Sequence, residues 1–491
     1  TGQIIAQGTA EKAIVFTSLN DDSHDGESNQ NSGPAAAGAW GGVILNSNGN
    51  VFEHCEFYYG GSSDGTMLDL GATSGNTVTN CTFAYSEGVG LYAGQASGAT
   101  ITNNAFYGNY APLVISVKLS LDDSNVFEPP SGGDANTRQG IFVSDAFGAT
   151  FFDEAIEWGE TEVAFVLAPG SDFYIERGTL KLYPGTTVKL SGNSLRVLTI
   201  GELTAVGTDA KPIVFTSIND DEYGGRSGCP YPPAAPQPGD WATIEIALHA
   251  GRCVFANCRI RYGGTEADYS NGDAALSVSS NDVGLGKIVF EYNLRGLDYL
   301  AYQAELDCSF SYNTYPARIS MEVHTISVTA SENTYNAVYL CDRPQAGGDK
   351  MWRTNCPLVL LDSIDLDGST VHHEPGTIIK AGRDVTIRLG LGAGSISSTS
   401  LPSPRIWTKT TEAMWAWEKG RLQRATGKAS TIKKRVYGFR AATFITPNTP
   451  NDRSLGQFLK AGAVRALCRA ASAAWGRSLI DSQGYVCDNT K

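Results

Sequence analysis

The sequence predicts an all-β protein built as a parallel β-helix, a solenoid of short stacked strands that ends in an atypical C-terminal tail. Three observations carry this. Ordered blocks of sequence recur about 200 residues apart. Short alternating strand-like pieces recur inside each block. Before residue 400 there is almost no helical periodicity, and the chain as a whole holds 55 glycines.

The long repeat is explicit. "GTAEKAIVFTSLNDD" (8–22) returns as "GTDAKPIVFTSINDD" (207–221), and "GAWGGVIL" (38–45) as "GDWATIEI" (239–246). "NVFEHCEFYYGG" (50–61) returns as "RCVFANCRIRYGG" (252–264), and "GNYAPLVIS" (108–116) as "YNTYPARIS" (312–320). "LYPGTTVKL" (182–190) is echoed by "HEPGTIIKA" (373–381). An ordered series of anchors at similar offsets marks a duplicated module. The chain divides on this reading into a first module at 1–190, a second at 191–381, and the start of a third followed by a basic tail at 382–491. The chain opens at "TGQIIAQGTAEK", which matches the middle of a later unit, so the N-terminus reads as processed or truncated.

Within each module, pieces such as "NVFEHCEFYYGG", "NTVTNCTFAYSEG" and "ATITNNAFYGN" alternate apolar and polar residues and break at Asn or Gly. Period 2 over short runs signals strands. Their even spacing suits the coils of a solenoid. Val51, Cys55 and Phe57, then Val78, Cys81 and Phe83, are expected inside, with Asn80 and Asn104 forming a ladder at a turn. An array of β-sandwiches is the rival, but it wants hairpin turns such as Asn-Gly, which are scarce here.

These series resemble the right-handed parallel β-helix modules of large secreted or surface bacterial proteins, adhesin-like and of the pectate-lyase-like superfold. The resemblance covers residues 1 to about 390. It implies a fold, and a surface or carbohydrate-associated setting, without implying a defined reaction.

Charge and cysteine usage narrow the function. After residue 400 there are 16 Lys and Arg against 5 Asp and Glu, so the first 400 residues hold 21 against 46, a net −25. An acidic body argues against nucleic acid and suits an extracellular or cation-recruiting protein. No apolar run is long enough for a membrane span. The ten cysteines form no CxxC signature. Cys341 and Cys356 flank a Pro/Gly-rich loop and are candidates for a disulfide, while Cys55, Cys81, Cys258 and Cys308 read as small core side chains.

The acidic turns "NDDSHDGES" (20–28) and "NDDEYGGRSG" (219–228) gather oxygen donors on a loop. Asp21, Asp22 and Asp25 in one copy, and Asp220, Asp221 and Glu222 in the other, are the candidate ligands for Ca²⁺, a cation that favours oxygen. The competing reading is an Asx turn after a strand. Trp40, Trp241, Tyr59 and Tyr262 recur with the module. They are candidates either for stacking on sugar rings or for burial under the loop. His372, His373 and Glu374 before a Pro-Gly turn offer a weaker metal signal, and His54, His249 and His324 stand alone.

The expected function is therefore a secreted or cell-surface structural, adhesin-like β-helix that binds a polysaccharide or surface glycan. The alternative is a polysaccharide lyase or glycoside hydrolase acting on an acidic polysaccharide, chemistry that needs acids and a base converging on one face. Motif patterns of the polygalacturonase and alginate-epimerase types are not assembled. Features repeated with the module look structural first. An active site is expected at unrepeated positions, in a groove holding carboxylates beside Lys, Arg or His.

The tail has two readings. "LGQFLKAGAVRALCRAASAAWGRSLI" (455–480) suits an amphipathic helix for a partner or an anionic surface. Alternatively, Trp407 to Gly420, back-translated and read one base earlier, permits a string like Leu-Asp-Lys-Asp-Tyr-Gly-Gly. That resembles "NDDEYGG" (219–225) where a third copy would carry it, as if the frame were lost between about 389 and 407.

Overall fold

The structure, a computed structural model, describes residues 2–29, 33–62, 65–144, 150–151, 154–228, 234–265, 273–301, 305–341, 348–365 and 369–388. The frame-loss and helical readings of the tail both fall outside these residues. Every regular element among them is a strand, and no helix is long and apolar enough to cross a membrane. The strands wind into a parallel solenoid of about 13 turns.

Three parallel sheets run up the first copy. Ile5–Gln7, Val51–Glu53, Thr77–Thr79 and Thr100–Thr102 pair in sequence on one face. Ile14–Phe16, Cys55–Tyr58, Thr82–Ala84 and Ala105–Tyr107 form the next. Val43–Ile44, Thr66–Asp69, Val89–Ala93 and Ala111–Ser116 form the third. The second copy merges its first two faces: Cys253–Arg261, Val283–Glu291, Glu305–Ser311 and Thr325–Ser331 are long strands that each cover both. Among the described residues no hairpin joins neighbouring strands, because parallel coils need a full circuit between pairings.

Coil corners explain which side chains point inward. His54 (φ 48°), Asn80 (φ 54°) and Asn103 (φ 56°) turn the chain in the left-handed conformation. Such a residue shifts the inward–outward phase by one. Strict alternation back from the buried Phe57 and Cys55 would place Val51 inside; the corner at His54 instead buries Phe52 and leaves Val51 half-buried. Val78, Cys81 and Phe83 are buried as expected. Inside, Phe16, Phe57, Phe83, Phe106 and Phe127 stack coil on coil at 4.6, 4.9, 5.2 and 5.3 Å. Stacked aromatics of this kind add about 0.5–1.5 kcal/mol per pair beyond area burial.

Asparagine ladders close the corners. Asn104 donates from Nδ2 to Asn125 Oδ1 (3.0 Å) and to the Val78 carbonyl (3.0 Å). Asn293, Asn313 and Asn333 repeat the device in the second copy at 2.9 Å per step. The expected partner Asn80 is not in a ladder: its backbone takes the outer corner and its side chain is exposed. Cys55, Cys81, Cys258 and Cys308 are buried. The expected disulfide does not form: Cys356 is a free, buried thiol beside Thr354 Oγ1 (3.1 Å), not bridged to Cys341.

Candidate functional site

Late in the first copy the regular stacking is interrupted, where the sheet ending at Thr100–Thr102 stops, and a cleft opens on the outer surface. It has a volume of about 590 Å³. Its walls come from unrepeated positions, Asp122 and Asp123 after the fourth coil, Glu157 on the strand Ala155–Trp158 and Thr161, together with Tyr183 and Lys211 from repeated blocks. Leu121 bridges to Trp158, which brings the 120–123 segment alongside the later strand. Trp158 itself is buried on Phe165 (4.5 Å), so the wall carrying Glu157 is anchored to the core.

The cleft chemistry follows from these contacts. Glu157 accepts from Tyr183 Oη (2.5 Å) and Lys181 Nζ (3.2 Å), and these two bonds hold its carboxyl below the ordinary value. Lys181 Nζ also donates to Tyr183 Oη (2.8 Å) and lies 4.2 Å over the Tyr183 ring. Asp123 accepts from the Thr161 backbone (2.8 Å) and hydroxyl (2.9 Å). Asp122 accepts from Ser124 through Oδ1. Beneath them, between the lining residues Gly159 and Thr161, lies Glu160, 1% exposed. Its Oε1 accepts from the Thr161 and Glu162 amides at 2.9 Å each, while its buried Oε2 has no hydrogen-bond partner. Burial, with the charges of Asp123 and Glu162 adding, pushes this carboxyl up to about 8, so it is protonated at neutral pH. A perturbed acid under a cleft is a functional-site candidate.

The residues singled out by the repeat lie elsewhere. Asp21 is buried and accepts from Thr17 Oγ1 (2.5 Å), Ser23 N and Oγ (3.2 and 2.5 Å) and His24 Nδ1 (2.9 Å). Burial opposes its charge, yet the bonds from Ser23, Thr17 and His24 outweigh it and hold the carboxyl below its ordinary value. Asp220 is buried on Thr216 Oγ1 (2.5 Å), and Arg261 Nη1 stands 3.1 Å from it and 2.8 Å from Glu222. Asp22, Asp25 and Asp221 are exposed. Both turns thus contain the Asx geometry, with Ser23 N and Glu222 N donating to the aspartate two residues earlier. Among the described residues, no group of three or more His, Cys, Asp or Glu is arranged to hold a metal ion.

The aromatic candidates separate by burial. Trp241 is 1% exposed and its Nε1 donates to the Arg261 carbonyl (2.8 Å), so its ring offers no face to a sugar. Trp40 is half-buried and donates to the Tyr58 carbonyl (2.7 Å). A Cβ on Gly263 would come within 2.6 Å of the Trp241 ring, which is why the Trp and the Gly-Gly pair recur together. Tyr59 stacks on Tyr85 (5.3 Å), and Tyr262 on Tyr292 (5.4 Å), at coil corners. Of the histidines, His249 and His324 are exposed, and His373 meets Trp352 edge-on (5.7 Å) while Glu374 pairs with Arg353 (3.1 Å).

Comparison with known families adds one observation: the family described as "right handed beta helix region" matches residues 28–180. The chain carries a right-handed β helix. No curated protein matches it. No solved structure matches it either. The matched part of the β helix contains Asp122, Asp123, Glu157 and Glu160, and Tyr183 and Lys211 follow it. Sequence reasoning about the β helix missed this cleft because its acidic residues lie in no motif, and Tyr183 and Lys211 read there only as parts of the repeat. The only signals available were the Asp122–Asp123 pair and an unrepeated stretch between the repeated blocks at 108–116 and 182–190.

Proposed function

We propose that this right-handed β helix is a secreted or cell-surface structural module that binds a glycan in the cleft late in its first copy. The observation that carries the reading is the lining: Tyr183, 37% exposed, beside carboxylates and the Thr161 hydroxyl on a rigid stack of coils. Sugar recognition requires an apolar ring surface together with oriented acceptors and donors. A solenoid holds such a set with little loss of order on binding, because its strands are already fixed by their neighbours. A panel of neutral, acidic and amino-sugar oligosaccharides tests this by titration calorimetry, with and without added Ca²⁺. Binding that drops on Tyr183→Ala supports the site, and no binding by any glycan overturns it.

One observation favours the second reading, a polysaccharide lyase or glycosidase. Glu160 is held neutral while Glu157 stays ionised, and pairs with separated titration are how acid and base roles are divided. Against it, Glu160 is too buried to reach a substrate in this conformation. Incubation with the same glycans, following reducing ends and unsaturated products, decides the matter. Turnover abolished by Glu160→Gln would establish the enzyme.

A further inference from the structure

The cleft's charge says which glycan. Its lining carries Asp122, Asp123 and Glu157 against the single cation Lys211. Lys181, next to it, is committed to Glu157 and Tyr183. The first 400 residues add a field of net −25, and a uronate polymer would bring more negative charge into it, so repulsion opposes association. Asp122 uses Oδ1 for its bonds to Ser124, and among the described residues its Oδ2 accepts no hydrogen bond. The protein also shows how this surface receives an ammonium group. Lys181 Nζ sits 3.2 Å from the Glu157 carboxylate, 2.8 Å from the Tyr183 hydroxyl and 4.2 Å over its ring. Carboxylate, phenol and π face together form a cation site. The buried, unpartnered Glu160 Oε2 between two lining residues adds a second polar group with nothing to bond to.

On the reading that the cleft binds a glycan, we propose that its ligand is a cationic polysaccharide rich in free amino sugars, held through Asp122 and Asp123 with a ring against Tyr183, and not a uronate polymer. The test uses short defined oligomers, so that general attraction to an acidic protein stays small. Glucosamine tetramer, its N-acetylated counterpart, cellotetraose and tetragalacturonate are titrated into the full chain at pH 6. The glucosamine tetramer is expected to bind about tenfold more tightly than the acetylated one, and to weaken several-fold as salt is raised. Asp122→Asn combined with Asp123→Asn keeps the acceptors for Ser124 and Thr161, and is expected to abolish that preference. Asp209→Asn, in a separate cleft, is expected to leave it intact. Equal or tighter binding of the acetylated, neutral or acidic tetramer overturns the proposal and leaves the glycan reading standing. An amino-sugar preference that survives the Asp122/Asp123 change overturns the site. Silence from all four oligomers removes both.

Discussion

The two acidic turns share a sequence and differ in what they hold. In the second copy, residues 218–228 fold back as a strap across earlier coils. Gly224 O accepts from the Ala164 amide, Arg226 O from the Gln139 amide, and Ser227 O from Arg138 Nε. Lys189 is buried beneath, its Nζ donating to the Gly225 carbonyl and to Ser227 Oγ. Asp240 ties the strap down by accepting from Ser217, Asn219 and Gln237. In the first copy the position of Asp240 is Ala39 and that of Arg261 is Tyr58. The first turn is therefore closed only locally, with His24 stacked on Tyr58 (5.5 Å) and bonded to Asp21. The same corner is a clasp in one place and a self-contained turn in the other. The repeated aspartate specifies the corner, and the unrepeated neighbours decide what it grips.

The largest expected effect tests that division. Arg261→Met leaves Asp220 buried without its cation and is expected to cost about 3–5 kcal/mol. His24→Ala, removing the half-buried counterpart, is expected to cost under about 1 kcal/mol. Denaturant melts compare the two, and equal losses would erase the distinction between clasp and turn.

A smaller contrast concerns the tryptophans. Gly263→Ala presses a methyl into the buried Trp241 ring, where overpacking costs about 1–3 kcal/mol. Gly60→Ala faces Met67 Cγ at 2.7 Å and Trp40 at 3.0 Å, side chains with more freedom to yield. The first substitution is expected to lower Tm more than the second. The reverse order would mean that Trp40 is the more tightly held ring.

The subtlest test is pH. Burial pulls Lys189 down to about 8, against the opposing pull of Asp221 and Asp220. Its folded value lies below the unfolded one of about 10.4. Between these values the unfolded chain binds more protons, so this group's contribution to stability rises with pH from about 8 to about 10.4. Glu160 works in the opposite sense: raised to about 8, it contributes stability below about 4.3 that is lost as pH climbs to about 8. Lys189→Met is expected to flatten the alkaline rise, and Glu160→Gln the fall on the acid side. Melts from pH 5 to 10 read both slopes, and slopes unchanged by the substitutions would show that neither group titrates as placed.

What was legible in the sequence was what repeats. The period-2 runs gave the strands, the Asn-rich breaks gave the corners, and the recurring Trp offered burial under the loop as one of two readings. The phase slip at His54 was not legible, because a left-handed residue carries no mark when it is histidine. Asn80 misled for a related reason: Asn serves both as an outer corner and as an inner ladder, and only position in the coil separates the roles. The cleft was hidden more deeply. Asp123 and Thr161 touch across 38 residues, and nothing in either segment announces the other.

The strap corner has a consequence for how such a chain tolerates change. In both copies 26 residues separate the strand before it from the strand after it, Phe16 to Val43 and Ser217 to Ile244. The coil continues in register on each side, since Ile14–Phe16 and Ile213–Ser217 pair with the next coil independently of that excursion. The cylinder therefore works as a chassis with a bay at one corner. In the first copy, where the turn is closed only locally, material in the bay can be exchanged without re-threading the stack; in the second copy the residues that bond Ala164, Gln139 and Lys189 have to stay, and new surface chemistry is gained only around them.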